Sequence, residues 1–169
     1  MTSPLAPLLA HDPRLLAVWR WVQAHMRADA AHDEGHLARV ARWTMRCAPA
    51  QPAVLAVAAA LTHDVVNLPK NHPERAQASE RSAQEVRGHL PELGFTAFET
   101  EEVALAVRDH SFSRGAVPQT ALGAALQDAD RLDALGALGV LRVAGVGANW
   151  AAPCCTPKTP GPRPASPTT

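Results

Sequence analysis

Tyrosine is absent from the 169 residues, and phenylalanine occurs only three times. Aromatic residues favour pleated strands and alanine favours helices, so a chain whose periodic stretches are filled with alanine instead points away from β-structure. Net charge is also missing: 16 Lys and Arg balance 16 Asp and Glu. A neutral total excludes the broad basic surface that grips nucleic acid along its length, but not a local cluster of donors for a small phosphate. The three cysteines, Cys47, Cys154 and Cys155, are too few and too oddly placed for a disulfide framework, which favours a reducing compartment. The start, MTSPLAPLLAHDPR, has neither a basic opening nor a long apolar stretch. The apolar segments at Val54–Leu61 and Ala134–Gly147 are short or interrupted by Arg142, far from the roughly 20 residues of a membrane span. The expectation is a soluble, cytoplasmic protein.

What is present is helical periodicity and histidine. Apolar residues recur at 3- and 4-residue spacings from Pro13 to about Arg27, with Asp12 before Pro13 as a helix start. The pattern returns over His36–Cys47, Ala53–His63, Glu74–Leu90, Glu99–His110 and Thr120 to about Val143, with a loop over Val65–Pro73. Ala53–His63 is apolar on every face, as befits a central buried helix. The expected fold is all-α, a bundle of five to seven helices over residues 1–150. From Pro153 the chain has six prolines in 17 residues and no periodicity, so 151–169 reads as a disordered tail.

Eight histidines are many for this length. His63 and Asp64 end the apolar helix, where the backbone can bend enough for neighbouring side chains to reach one target. His36 opens a helix, and Asp130 lies within QDADRLDA among alanines. Buried imidazoles and carboxylates need partners, and a shared cation satisfies both. Two imidazoles with two carboxylates suit Mn, Fe, Co, Ni or Zn. A second cluster, Lys70, Asn71, His72 and Arg75, follows at once. Lys70 and Arg75 are candidates for phosphate oxygens, Arg75 through a bidentate fork, and His72 for proton donation to a leaving oxygen. Arg131, beside Asp130, could serve the same anion or pair with a nearby acid. His110 is either part of the site or a helix-end imidazole, and His32 a cap or supporting partner. Asp128 and Asp133 read as supporting or surface carboxylates, His11, His25 and His89 as surface residues, Trp19, Trp21 and Trp43 as core or rim packing, and Cys47 as buried and inert. Ser79 is too generic to place.

The segments GHLARV, LTHDVVNLPKNHPERAQAS, RDHSFS and LQDADRLDALGALG together resemble the HD-domain superfamily, and more narrowly a group of small stand-alone bacterial HD hydrolases. The resemblance runs from about Asp29 to Val146. Its H…HD…D pattern falls on His36, His63, Asp64 and Asp130. It implies a helical bundle holding a divalent metal, by default one ion and most plausibly Mn with Fe, Co, Ni, Zn or Mg as alternatives, and cleavage of a phosphate ester or anhydride of a small molecule such as a nucleotide. Asp64 would then also orient the attacking water, and His110 would be a further ligand or a substrate contact. Members of the group continue with further helices after the region matching Val143, which opens an alternative: a truncated, non-catalytic domain that still binds metal or nucleotide, with an exposed patch near Leu135–Val146.

Overall fold

The computed structural model describes residues 3–26, 33–68, 72–111 and 114–148. Among these residues there is no strand, and eight α-helices follow one another: α1 (Ala6–Leu9), α2 (Arg14–His25), α3 (Glu34–Cys47), α4 (Ala53–Thr62), α5 (Ala78–His89), α6 (Ala97–Asp109), α7 (Ala121–Asp133) and α8 (Gly136–Ala148). The all-α expectation holds. Short 3-10 turns at Arg75–Gln77 and Pro91–Leu93 flank α5. Among the described residues no helix is long and apolar enough to cross a membrane.

Helix starts follow local chemistry. The first backbone N–H groups of a helix have no partner within it, and a preceding side-chain oxygen supplies one. Asp12 takes the Arg14 amide at 2.9 Å, Asp33 the His36 amide at 2.7 Å and Thr120 the Gly123 amide at 3.0 Å. Thr96 and Glu99 cap α6 reciprocally. Helix α4 is the centre of the bundle: Leu55 through Thr62 are all buried. Helix α3 packs against α4 and α7, while α6 packs against α4, α5 and α7. The alanines matter here, because Ala56, Ala58, Ala59 and Ala60 have no exposed surface and let neighbouring backbones come close.

Four expectations change. The single helix expected from Thr120 to Val143 is two, broken where Gly136 adopts φ +67°, a left-handed conformation that glycine takes without steric cost. Just beyond, a Cβ at Gly139 would lie 1.9 Å from the Ala134 carbonyl oxygen, so the return of α8 onto the end of α7 requires glycine there too. The helix expected from Glu74 begins only at Ala78, after the 3-10 turn. Cys47 is exposed rather than buried: it is the last residue of α3, and the following Ala48 packs inward in its place. Trp21 is buried and stacks on His89 at 4.6 Å, which makes His89 half-buried rather than a free surface residue. Trp43 is a rim residue beneath the Arg46 guanidinium. His32, Lys70, Asn71 and the tail after Trp150 lie outside the described residues.

Candidate metal centre

Four helices aim polar side chains at one buried point. His36 comes from the first turn of α3, His63 caps α4, Asp64 follows it, His110 caps α6 and Asp130 lies near the end of α7. His36 and His63 have no exposed surface and His110 is 4% exposed. The ligand-type atoms of His36, His63 and Asp130 all lie within 4.8 Å of one another, and so do those of His63, Asp64 and His110. His63 therefore belongs to both sets. The Nε2 atoms of His36 and His63 are 3.3 Å apart. Asp130 Oδ1 is 3.7 Å from His36 Nε2 and 4.0 Å from His63 Nε2, and Asp64 Oδ2 is 3.4 Å from His63 Nε2. Asp64 Oδ1 is 3.7 Å from His110 Nε2.

The outer ring nitrogens decide what the inner ones can do. His63 Nδ1 donates to the Ala60 carbonyl at 2.8 Å and His110 Nδ1 to the Val107 carbonyl at 2.6 Å. A helix end leaves its last carbonyls without internal partners, and each terminal histidine folds back onto the carbonyl three residues before it. His36 Nδ1 instead donates to Asp133 Oδ2 at 2.8 Å. With Nδ1 carrying the proton, the Nε2 of each neutral ring presents a lone pair inward. Two imidazole lone pairs 3.3 Å apart repel, and two carboxylates beside them add negative charge. A divalent cation resolves both, and the donor set of nitrogen and oxygen suits a first-row ion.

Electrostatics agrees with a neutral imidazole at His63. Burial pushes His63 down to about 4, with Asp64 opposing and His110 adding to the fall. Burial also works against protonated His110, but the Asp64 carboxylate beside it prevails and raises it. Asp133 keeps its charge in spite of burial, because hydrogen bonds from His36 and Arg39 hold it well below the usual carboxylate range. Asp130, 28% exposed at its side chain, marks the solvent-facing edge.

The remaining candidates are more dispersed. Arg75 Nη1 is spent on Asn67 Oδ1 at 3.0 Å and the Leu68 carbonyl at 2.7 Å, bracing the loop that follows Asp64. His72 Nδ1 accepts from the Glu74 amide at 3.1 Å, which leaves Nε2–H as the donor of the neutral ring. Arg131 is exposed on α7 beside Asp130, and Asp128 is exposed on the same helix. Arg39 went unnoticed in the sequence and Asp133 was only a supporting or surface acid; in the structure Arg39 grips Asp133 through Nε at 2.5 Å and Nη2 at 3.1 Å. The signal was present: His36 and Arg39, like Asp130 and Asp133, are three apart and share a helix face.

The fold and this cluster define an all-helical domain with a buried histidine–carboxylate centre able to hold a divalent cation. The chain belongs to the HD domain family, whose model matches residues 34–135. YpgQ of Bacillus subtilis is 33% identical over 129 residues, which is 72% of this chain and 60% of that protein. The chain thus spans less than two thirds of the length of this curated relative. The crystal structure of Bacillus subtilis YpgQ in complex with ADP matches with a TM-score of 0.64 and 25% identity over 86% of this chain and 73% of that one. A predicted HD superfamily hydrolase from an uncultured Thermotogales bacterium matches with a TM-score of 0.64 and 32% identity, covering 85% and 80%.

Proposed function

We propose that this protein is a metal-dependent phosphohydrolase acting on a small phosphorylated molecule, with a nucleotide as the favoured class. The observation that carries the reading is the two overlapping sets of ligand-type atoms, His36, His63 and Asp130 with His63, Asp64 and His110, gathered at one buried point. His36, His63, Asp64 and Asp130 would hold the ion, and Mn is the favoured one. When bound, the ion supplies Lewis acidity toward a phosphoryl oxygen and acidifies a water. Asp64, placed between His63 and His110, accepts a hydrogen bond from that water and orients it. His110 Nε2 stands on the far side of Asp64 and contacts the substrate or the water. His72, with Nε2–H available, gives a proton to the leaving oxygen, and Lys70, Arg75 and Arg131 receive phosphate charge. The nucleotide class draws support from the ADP complex of the relative YpgQ.

The test is phosphate or pyrophosphate release from a nucleotide panel with added Mn, and its loss in Asp64→Ala. Absence of metal-dependent release from every phosphate ester offered would overturn the reading. A second reading, a metal- or nucleotide-binding domain without turnover, is favoured by one observation: α8 exposes Leu138, Val140, Leu141 and Val143 at 47–69%. A large rise in melting temperature on adding Mn, with no turnover, is its expected signature.

A further inference from the structure

We propose that Asp133 is a positioning residue that fixes the His36 imidazole for metal binding, and that Arg142 links α8 to the centre through it. The inference rests on the metal-centre reading above, not on any substrate. His63 and His110 end their helices and orient themselves with carbonyls of their own helices. His36 cannot. It lies in the first turn of α3, where the unpartnered backbone groups are N–H donors and offer an imidazole N–H nothing to bond. Its acceptor must come from another helix, and Asp133 on α7 provides it at 2.8 Å.

The carboxylate is itself held on all sides. Arg39 of α3 binds both of its oxygens, and Arg142 Nη1 of α8 binds Oδ2 at 2.8 Å, the same oxygen that receives His36. Asp133 is 4% exposed, so it cannot swing out to water. Two guanidinium groups prevent rotation of the carboxylate and set the plane in which His36 donates. A carboxylate behind a ligating imidazole also makes it a stronger donor than a carbonyl does. Of the described α8 side chains, Leu138, Val140, Leu141 and Val143 stay exposed, and this ion pair with a buried carboxylate ties the helix to the rest.

Two measurements on the full chain test this. First, ¹⁵N NMR of the metal-free protein reads the histidine tautomers. A free imidazole prefers the proton on Nε2, so an Nδ1-protonated His36 is the expected result and an Nε2-protonated His36 would overturn the proposal. Second, Mn affinity is measured for Asp133→Asn, Arg142→Gln and the exposed control Asp128→Asn. Asp133→Asn should weaken Mn binding about 10-fold or more, Arg142→Gln by a smaller factor, and the control not at all. Wild-type affinity in folded Asp133→Asn would reduce Asp133 to a structural ion pair and sink the idea, and an unchanged Arg142→Gln would remove α8 from it. Should Asp133→Asn fail to fold, the wild-type tautomer and Arg142→Gln decide. A wild-type chain that binds no Mn contradicts the centre itself, a failure separate from both.

Discussion

The histidine centre and α8 invert the usual arrangement in opposite senses. At the centre, polar groups are inside: His36, His63, His110 and Asp133 are each at most 4% exposed. On α8, apolar groups are outside: Leu138, Val140, Leu141 and Val143 are exposed at 47–69%. A buried polar group and an exposed apolar patch are the two departures from ordinary packing that call for a reason. The centre answers with complete partnering of its outer ring nitrogens. The exposed apolar side chains of α8 have no such cover, and the Asp133–Arg142 ion pair joins the helix to the buried carboxylate. The lesson is that polar groups stay buried where each finds partners, whatever the apolar packing around them.

This contrast can be broken at several points. The largest effect should come from Asp130→Asn. Its carboxylate is 28% exposed, so the metal-free fold should melt near the wild-type temperature, while metal-dependent turnover disappears. The stabilisation by Mn, about 2.7 kcal/mol at a hundredfold excess over the dissociation constant, should vanish with it. Differential scanning calorimetry with and without Mn checks both halves. A variant that still gains stability from Mn would remove Asp130 from the ligand set.

The largest loss of fold stability should come from Leu61→Ala. Leu61 has no exposed surface and sits two residues before the His63–Asp64 pair. Truncation leaves a cavity in the central helix and should cost about 3 kcal/mol in urea denaturation. A smaller loss, of about 1 kcal/mol, is expected for Thr96→Ala, which deletes one half of the reciprocal cap on α6. The same cap has a pH signature. The Thr96 amide and then Arg14 hold Glu99 below its ordinary value. The folded state therefore binds fewer protons than the unfolded one in that range. The contribution is complete above about pH 4.5 and fades as pH falls through the lowered value. Glu99→Gln, which removes the titrating carboxyl, should flatten this acid limb of the stability curve, and an unchanged limb would assign it elsewhere.

The smallest effect is expected at Leu141→Ala. With 66% of its surface exposed, it should shift stability by no more than about 0.5 kcal/mol. A loss comparable to that of Leu61→Ala would show that α8 is packed in solution and would dissolve the contrast.

Much of this was legible in the sequence because it is local. Alanine-rich periodicity gave the helices, Asp12 and Thr120 marked starts, and the H…HD…D pattern put His36, His63, Asp64 and Asp130 forward together. The break at Gly136 was hidden because a lone glycine in a helical pattern is usually tolerated, and only its left-handed φ ends the helix. Cys47 was misjudged because periodicity says which face a residue occupies, not whether a neighbouring helix extends far enough to cover it.

Residue types and spacings by themselves determined most of the helices and put forward four candidate donors, since helix formation and capping act over a few neighbouring residues. Only the tertiary structure decided the protonation geometry. Asp133 reaches His36 across 97 positions of chain, Arg142 arrives from α8, and His110 joins the centre by virtue of where α6 ends. Such contacts depend on how helices cross, which is set by packing summed over the whole core and leaves no trace in any short stretch of sequence.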